Sequence, residues 1–426
     1  MVKIRILGGG GEVGRSAFQV IDRGKSVLLD YGINFDEEDK PCFPEHVRPV
    51  DLSGLIISHA HLDHIGASPL LYITGRIPVY LTKPTLDLAR LLIIDFLKIS
   101  SAYVDYDISE FENMVSNAVF INYGVEYSVD DFTLLATSAG HILGSSMIYL
   151  ETPSGHNILY TGDVNTINTW TLSAAELWPK KVDTLIIEST YGDRKHPSRH
   201  FVEKQLVNII EETVDNNGVV LIPAFSIGRS QEVMSIVQTE IPHVEVYLDG
   251  MSCEITNIYL KYREFLRDPA LFEKIVENTY FVRGWSDRRK VWRKPCVIIA
   301  SAGMLKGGPS VYYLKKLSDD SRNSVVLVSY QAPNSPGFKL LSNGGVEEYG
   351  IINLKPRLYW LDLSSHAGKD GLLSIIKKYR SFLKNIVLIH GETESIVGFK
   401  KIIRENVDED VKIHTPVNGD EIELFE

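Results

Sequence analysis

Four residues able to hold a metal fall within six positions, His59-Ala60-His61-Leu62-Asp63-His64, directly after the apolar Leu55-Ile56-Ile57. Packing gives no reason to crowd three imidazoles and a carboxylate together, whereas zinc takes both donor types. The spacing adds to the case. Residues two apart in an extended segment share a face, so His59 and His61 can grip one ion together. Asp63 and His64 lie past the bend into the next element and can turn to a second ion nearby. Two metals about 3.5–4 Å apart can clamp both the attacking and the leaving oxygen of an in-line displacement at phosphorus. We read the segment as a two-metal site.

Other segments share its design. The strand-like Lys25-Ser26-Val27-Leu28-Leu29 ends at Asp30, and an apolar strand leads into Tyr160-Thr161-Gly162-Asp163. The strand over 132–136 runs into a glycine-flanked loop that carries His141. Leu185-Ile186-Ile187-Glu188, Asp362-Leu363-Ser364-Ser365-His366 and Val387-Leu388-Ile389-His390 are further runs ending at or near an acid or a histidine. Strand ends followed by loops are where a sheet scaffold displays chemistry. Of the twelve histidines, His46, His156, His196, His200, His243 and His414 stand outside these motifs in polar or turn-like surroundings, and we expect them at the surface.

The pattern H-x-H-x-D-H, with these motifs in this order, resembles the metallo-β-lactamase superfamily. Glu188, His366 and His390 stand where its β-CASP nucleases carry three further motifs. The strings Gly11-Glu12-Val13-Gly14-Arg15-Ser16, Ala224-Phe225-Ser226-Ile227-Gly228-Arg229, Ser301-Ala302-Gly303-Met304 and Tyr330-Gln331-Ala332 are similar to the cleavage-factor branch of those nucleases. The resemblance extends along the whole chain and is nearest to archaeal cleavage-factor-like proteins without KH domains. It implies an α/β fold, a metallo-β-lactamase αββα sandwich with an inserted doubly wound α/β β-CASP domain. It implies that His59, His61 and His141 hold one zinc, that Asp63, His64 and His390 hold the other, and that Asp163 bridges them. Asp30 would buttress the metal-binding loop, and manganese would suit the carboxylate-rich half nearly as well as zinc. Asp63, Glu188 and His366 would carry the chemistry. His366 would donate a proton to the leaving 3′-oxygen, with Glu188 on its other nitrogen fixing the tautomer. The implied substrate is single-stranded RNA, and Ser364, Ser365 and Arg229 would meet its phosphates. The expected activity leans toward a 5′→3′ exoribonuclease with endonuclease capacity; the alternative is mainly an endonuclease of RNA 3′-end cleavage.

The rest of the chain must position these groups. Residues 1–191 read as short strands and turns with few helices, notably one over 85–99. From there the rhythm changes to a helix over 199–216, a strand over 219–223, a helix from Arg229, a strand over 244–248 and a helix from Glu254. Apolar runs over 297–299 and 325–328 are of buried parallel-strand type. Alternating β and α units imply a doubly wound sheet. We therefore expect the lactamase core in 1–191 and 356–426, the β-CASP domain in 192–355, and the active site in the cleft between them. One decoy is set aside. Gly9-Gly10-Gly11-Glu12-Val13-Gly14 fits the G-x-G-x-x-G dinucleotide fingerprint, which needs a helix at its third glycine. Here the apolar, partly β-branched Ala17-Phe18-Gln19-Val20-Ile21 and a hairpin turn follow, so we expect no nucleotide cofactor.

Across 426 residues, 44% hydrophobic and 23% charged content is ordinary for a globular chain. Cys42, Cys253 and Cys296 are odd in number and outside every metal motif, which suits free thiols in a reducing compartment. The chain enters a strand at Val2 without a signal-peptide pattern, and Arg90 and Asp95 interrupt its most apolar helix, so we expect a cytoplasmic protein with no membrane span. A net charge of −11 does not advertise a nucleic-acid partner. Basic residues do gather locally: Arg283, Arg288, Arg289, Lys290, Arg293 and Lys294 surround Trp285 and Trp292, a mixture that can meet phosphates and stack bases. Lys377, Lys378, Arg380 and Lys384 read instead as the water face of a helix. The apolar strands over 382–425 could serve a homodimer. Two other function classes compete. A small-molecule hydrolase would have no use for the 192–355 insertion, and an inactive RNA-binding scaffold would lack ligands that are all filled here.

Overall fold

The structure, a computed structural model, describes residues 1–424; Phe425 of the proposed pairing region lies outside it. The described chain divides into two compact units: residues 1–168, 174–195 and 366–424 in one, Thr169–Ser173 and His196–Ser365 in the other.

The first unit holds two seven-stranded sheets. One is ordered Glu421–Glu423, Lys3–Gly8, Ala17–Asp22, Lys25–Leu29, Gly54–Ile56, Val79–Leu81, Ala118–Phe120. The other is ordered Lys412–His414, Asn385–Ile389, Thr184–Glu188, Asn157–Tyr160, Ser146–Glu151, Phe132–Ser138, Glu126–Val129. Alternate residues of both sheets, among them Ile4, Phe18, Val27, Leu134, Ile148 and Val387, form one buried cluster, as facing sheets with a side-chain period of two require. The opposite face of the second sheet buries Leu159, Leu185 and Leu388 against Leu372 and Ile376 of the helix Lys369–Tyr379 and Phe399 of the helix Thr393–Arg404. Lys83–Ser100 forms the long helix expected near 85–99; Thr82 caps it by accepting from Thr85 N. At the glycine-rich decoy the strand Lys3–Gly8 passes through a loop straight into the strand Ala17–Asp22, with no helix between. The strands Lys412–His414 and Glu421–Glu423 each complete an edge of these sheets.

The second unit is built on a six-stranded, all-parallel sheet ordered Tyr280–Phe281, Val246–Asp249, Cys296–Ala300, Val219–Pro223, Ser324–Leu327, Arg357–Trp360. Its central strands are buried on both faces, which explains their continuous apolar runs. Leu221, Ile298 and Leu327 pack with Tyr313 and Leu314 of the helix Gly308–Leu317 and Leu340 of the helix Pro336–Asn343. The boundary expected at 355/356 falls one strand early. Arg357–Trp360 pairs with Ser324–Leu327 through Leu327↔Trp360, so the chain leaves this sheet only afterwards. Thr169–Ser173 joins the same unit because the buried Glu232 accepts hydrogen bonds from Trp170 N, Thr171 N and Thr171 Oγ1.

Candidate metal centre

Strand register in the first unit gathers the expected donors. Lys25–Leu29, Gly54–Ile56 and Val79–Leu81 run parallel, and Asp30 and His59 follow the first two of them. In the other sheet Asn157–Tyr160, Thr184–Glu188 and Asn385–Ile389 are also parallel, with Glu188 opposite Ile389. Glu188 and His390 thus stand at neighbouring strand ends, and Asp163 lies three residues past a third. Ligand sites at the carboxyl ends of parallel strands follow from this arrangement, because loops there can approach one another without breaking the ladder. Gly32 allows one close approach: a Cβ there would lie 1.9 Å from Asp63 O.

The donors form three groups that share Asp163. The ligand atoms of His59, His61, His141 and Asp163 lie within 4.8 Å of one another, as do those of Asp63, His64, Asp163 and His390, and those of Asp163, Glu188 and His366. The two oxygens of Asp163 look different ways. Oδ2 is 3.4 Å from His59 Nε2 and 3.6 Å from His141 Nε2. Oδ1 is 3.3 Å from His64 Nε2 and 3.4 Å from His390 Nδ1. His61 Nδ1 sits 3.2 Å from both His59 Nε2 and His141 Nε2. His390 Nε2 meets Asp63 Oδ2 at 3.3 Å.

A buried support fixes the first loop. Asp30, fully buried in the left-handed region at φ 57°, accepts from Ser58 N and Ser58 Oγ at 2.7 Å and from Tyr160 OH at 2.6 Å. It also faces His64 Nδ1 at 2.7 Å. A carboxylate on Nδ1–H leaves Nε2 as the lone-pair nitrogen turned toward Asp163, the arrangement that orients metal-binding imidazoles. Ser58 Oγ stands 3.0 Å from His59 Nδ1. Glu188, fully buried, accepts from Val164 N at 2.7 Å and Thr190 Oγ1 at 2.6 Å and faces His366 Nδ1 at 3.0 Å. His366 Nε2 is then turned toward Asp163 Oδ2, 3.8 Å away.

The electrostatics fit metal ions. Burial holds His59 and His141 below the ordinary imidazole pKa and lowers His61 to about 3, which favours the neutral form that a metal-binding imidazole needs. Burial opposes charge on all four of Asp63, His64, Asp163 and His390. The carboxylates of Asp163 and Asp63 nevertheless raise the His64 and His390 imidazoles above their ordinary value, and the imidazoles hold both carboxyls below theirs. The set thus calls for positive charge that a metal ion could supply in place of protons. Burial also opposes charging of His366, and the carboxylates of Glu188 and Asp163 overcome it, raising the imidazole to about 9. His64 Nε2 and Asp163 Oδ1 are buried without a hydrogen-bond partner although only 3.3 Å apart. Buried polar atoms normally have partners, so two facing donor atoms left in this state suit a shared cation. Nitrogen and carboxylate donors in groups of four match the tetrahedral preference of zinc.

Of the expected phosphate contacts, Arg229 and Ser365 come together in the second unit, where Nη2 lies 3.5 Å from Oγ, and Ser364 N donates to Asp362 at 3.0 Å. Two expectations need correction. His156 is buried rather than superficial, with Nε2 2.8 Å from Thr184 Oγ1, because its turn folds back over a strand end. The basic cluster is partly committed: Arg288 donates twice to Asp249, at 2.6 and 2.7 Å, and Lys294 pairs with Glu245 at 2.5 Å. Arg283, Arg289, Lys290 and Arg293 are exposed. Sequence reasoning missed Ser58, Tyr160 and Thr190, the hydroxyls that hold the carboxylates. Ser58 and Thr190 do flank the His59 and Glu188 motifs, and that adjacency was the available signal.

Three family models match the chain in succession. Residues 20–190 match the metallo-beta-lactamase superfamily domain, 231–340 the Beta-Casp domain, and 351–416 the Zn-dependent metallo-hydrolase RNA specificity domain. The chain is 45% identical to RNase aCSPSF2 of Saccharolobus solfataricus over 99% of its own length and 85% of the relative. It is 36% identical to transcription termination factor FttA of Methanocaldococcus jannaschii, over 99% of this chain and 72% of that one. A crystal structure of a protein of unknown function from Enterococcus faecalis superposes with a TM-score of 0.58 at 14% identity, covering 99% of both chains, which speaks for the fold alone. With a relative this similar over nearly its full length, and all three domains in order, the chain belongs to the β-CASP family of metallo-β-lactamase-fold, metal-dependent ribonucleases.

Proposed function

We propose that this chain hydrolyses phosphodiester bonds of single-stranded RNA with two zinc ions, acting 5′→3′ from an RNA end with some endonuclease capacity. The observation that carries the hydrolytic reading is the sharing of Asp163 by three donor groups, two that fit metal ions and one that fits proton transfer. His59, His61 and His141 would hold one ion, Asp63, His64 and His390 the other, with Asp163 between. Bound there, the ions would supply Lewis acidity for both the attacking and the leaving oxygen; manganese is the alternative metal. His366 Nε2 would give its proton to the leaving 3′-oxygen, and Glu188, on Nδ1, would hold the ring and favour its charged form. The products would be a 5′-phosphate and a 3′-hydroxyl. Ser364, Ser365 and Arg229 would bind phosphate, and an extended single strand suits this role better than a duplex.

A second reading, an endonuclease of RNA 3′-end cleavage, draws on the relative named as a transcription termination factor. One experiment separates the two. Zinc-loaded protein is given single-stranded RNA with a 5′-monophosphate or a 5′-triphosphate, labelled at either end. Mononucleotides released only from the monophosphorylated RNA are the expected result. Discrete internal cuts regardless of the 5′ group would replace the exonuclease by the endonuclease, and inert protein would overturn the nuclease reading.

A further inference from the structure

The strand pair that presents Glu188 and His390 also presents a hydroxyl between them. Glu188 stands opposite Ile389 in parallel register, and Ser189 N donates to His390 O at 3.3 Å, so Thr190 and His390 leave the sheet side by side. Thr190 Oγ1 lies 2.6 Å from Glu188 Oε2, 3.2 Å from His390 Nδ1 and 3.2 Å from His390 O. A hydroxyl has one proton and two lone pairs. The carboxylate is the nearest acceptor and the only charged one, so that proton goes to Glu188. Oγ1 is left with only lone pairs for His390, and Nδ1 must supply the hydrogen of the 3.2 Å contact. The hydroxyl therefore keeps the proton on Nδ1, and Nε2, which faces Asp63 Oδ2, is the nitrogen free to share an ion with Asp63.

We propose that Thr190 is a positioning residue that joins the proton-donating pair to the second metal group, by fixing the His390 tautomer with one side of its hydroxyl and the Glu188 carboxylate with the other. The connection runs from His390 Nδ1 through Thr190 Oγ1 and Glu188 to His366 Nδ1, and His366 and Asp63 stand at its two ends. A methyl group in place of the hydroxyl would leave Glu188 Oε2 and His390 Nδ1 without this partner at once. The inference rests on the two-metal reading above but not on RNA being the substrate.

The test compares the full chain with Thr190→Val, which keeps the branched shape, and with Thr190→Ser, which keeps the hydroxyl. Zinc is titrated against a competing chelator, and the histidine tautomers of the zinc-loaded protein are read from ¹⁵N shifts and couplings. The wild type should carry hydrogen on His390 Nδ1. T190V should bind its weaker zinc about 10–100-fold less tightly, the range for lost partners of metal-binding imidazoles. Its kcat should fall in the same range with KM unchanged, and T190S should recover to within about 3-fold of wild type on both readouts. Two zincs bound to T190V with wild-type affinity would overturn the proposal. So would a T190S variant as impaired as T190V, which would make Thr190 a packing residue. A wild type inert on RNA that still shows the zinc and tautomer differences would support Thr190 and overturn the nuclease reading instead.

Discussion

Each unit contains an imidazole held against a carboxylate, and the two pairs differ in everything but that contact. In the first unit His366 Nδ1 stands 3.0 Å from Glu188; in the second, His196 Nδ1 stands 2.7 Å from Asp362. The shorter contact is the one with fewer partners around it. Glu188 is wholly buried and carries two further hydrogen bonds, and the far nitrogen of His366 looks toward a carboxylate shared by two groups of metal donors. Asp362 is partly exposed and receives one backbone N–H, from Ser364. Neither His196 nor Asp362 joins any group of metal-type donors among the described residues. Chemistry is marked by how many constrained donors converge on one space, not by how close a single pair comes.

That contrast can be broken at graded points. The largest effect is expected from Asp163→Ala, which removes the residue common to all three groups: zinc content should fall from two per chain and RNA cleavage to background, read by elemental analysis beside a cleavage assay. His366→Ala should keep both zincs and its KM while losing about 10²–10⁴-fold in kcat, the range for a positioned proton donor. Loss of zinc in that variant would turn the His366 group from acid into ligand. The smallest effect is expected from His196→Ala, with kcat within about 2-fold of wild type, because the pair joins no group of metal-type donors among the described residues. Were it as damaging as His366→Ala, the two pairs would be equivalent and the contrast would fail.

The donors were legible because each lies in a short contiguous motif whose strand precedes it in sequence. His59 and Asp63 announce themselves four residues apart, and the apolar runs before Asp163, Glu188 and His390 give the strands. The hydroxyls were less visible. Tyr160 reaches Asp30 from 130 positions away and Thr190 reaches His390 from 200, so no local pattern exposes their pairing. The outer strand Arg357–Trp360 was missed as part of the second sheet because it is only partly buried and lacks the continuous apolar run of its neighbours. The commitment of Arg288 to Asp249 depends on a residue 39 positions earlier, and composition could show only that basic groups were dense.

The order of donors along the chain has a consequence for the making of the protein. Synthesis from the amino end supplies His59, His61, His141, Asp163 and Glu188 well before His366 and His390, which follow after the whole second sheet. The strand Glu421–Glu423, which pairs with Lys3–Gly8, arrives later still. A chain still emerging from the ribosome therefore carries the group of His59, His61, His141 and Asp163 complete, but lacks His366 and, from the second group, His390. The full cluster around Asp163 can assemble only after most of the coding sequence has been read.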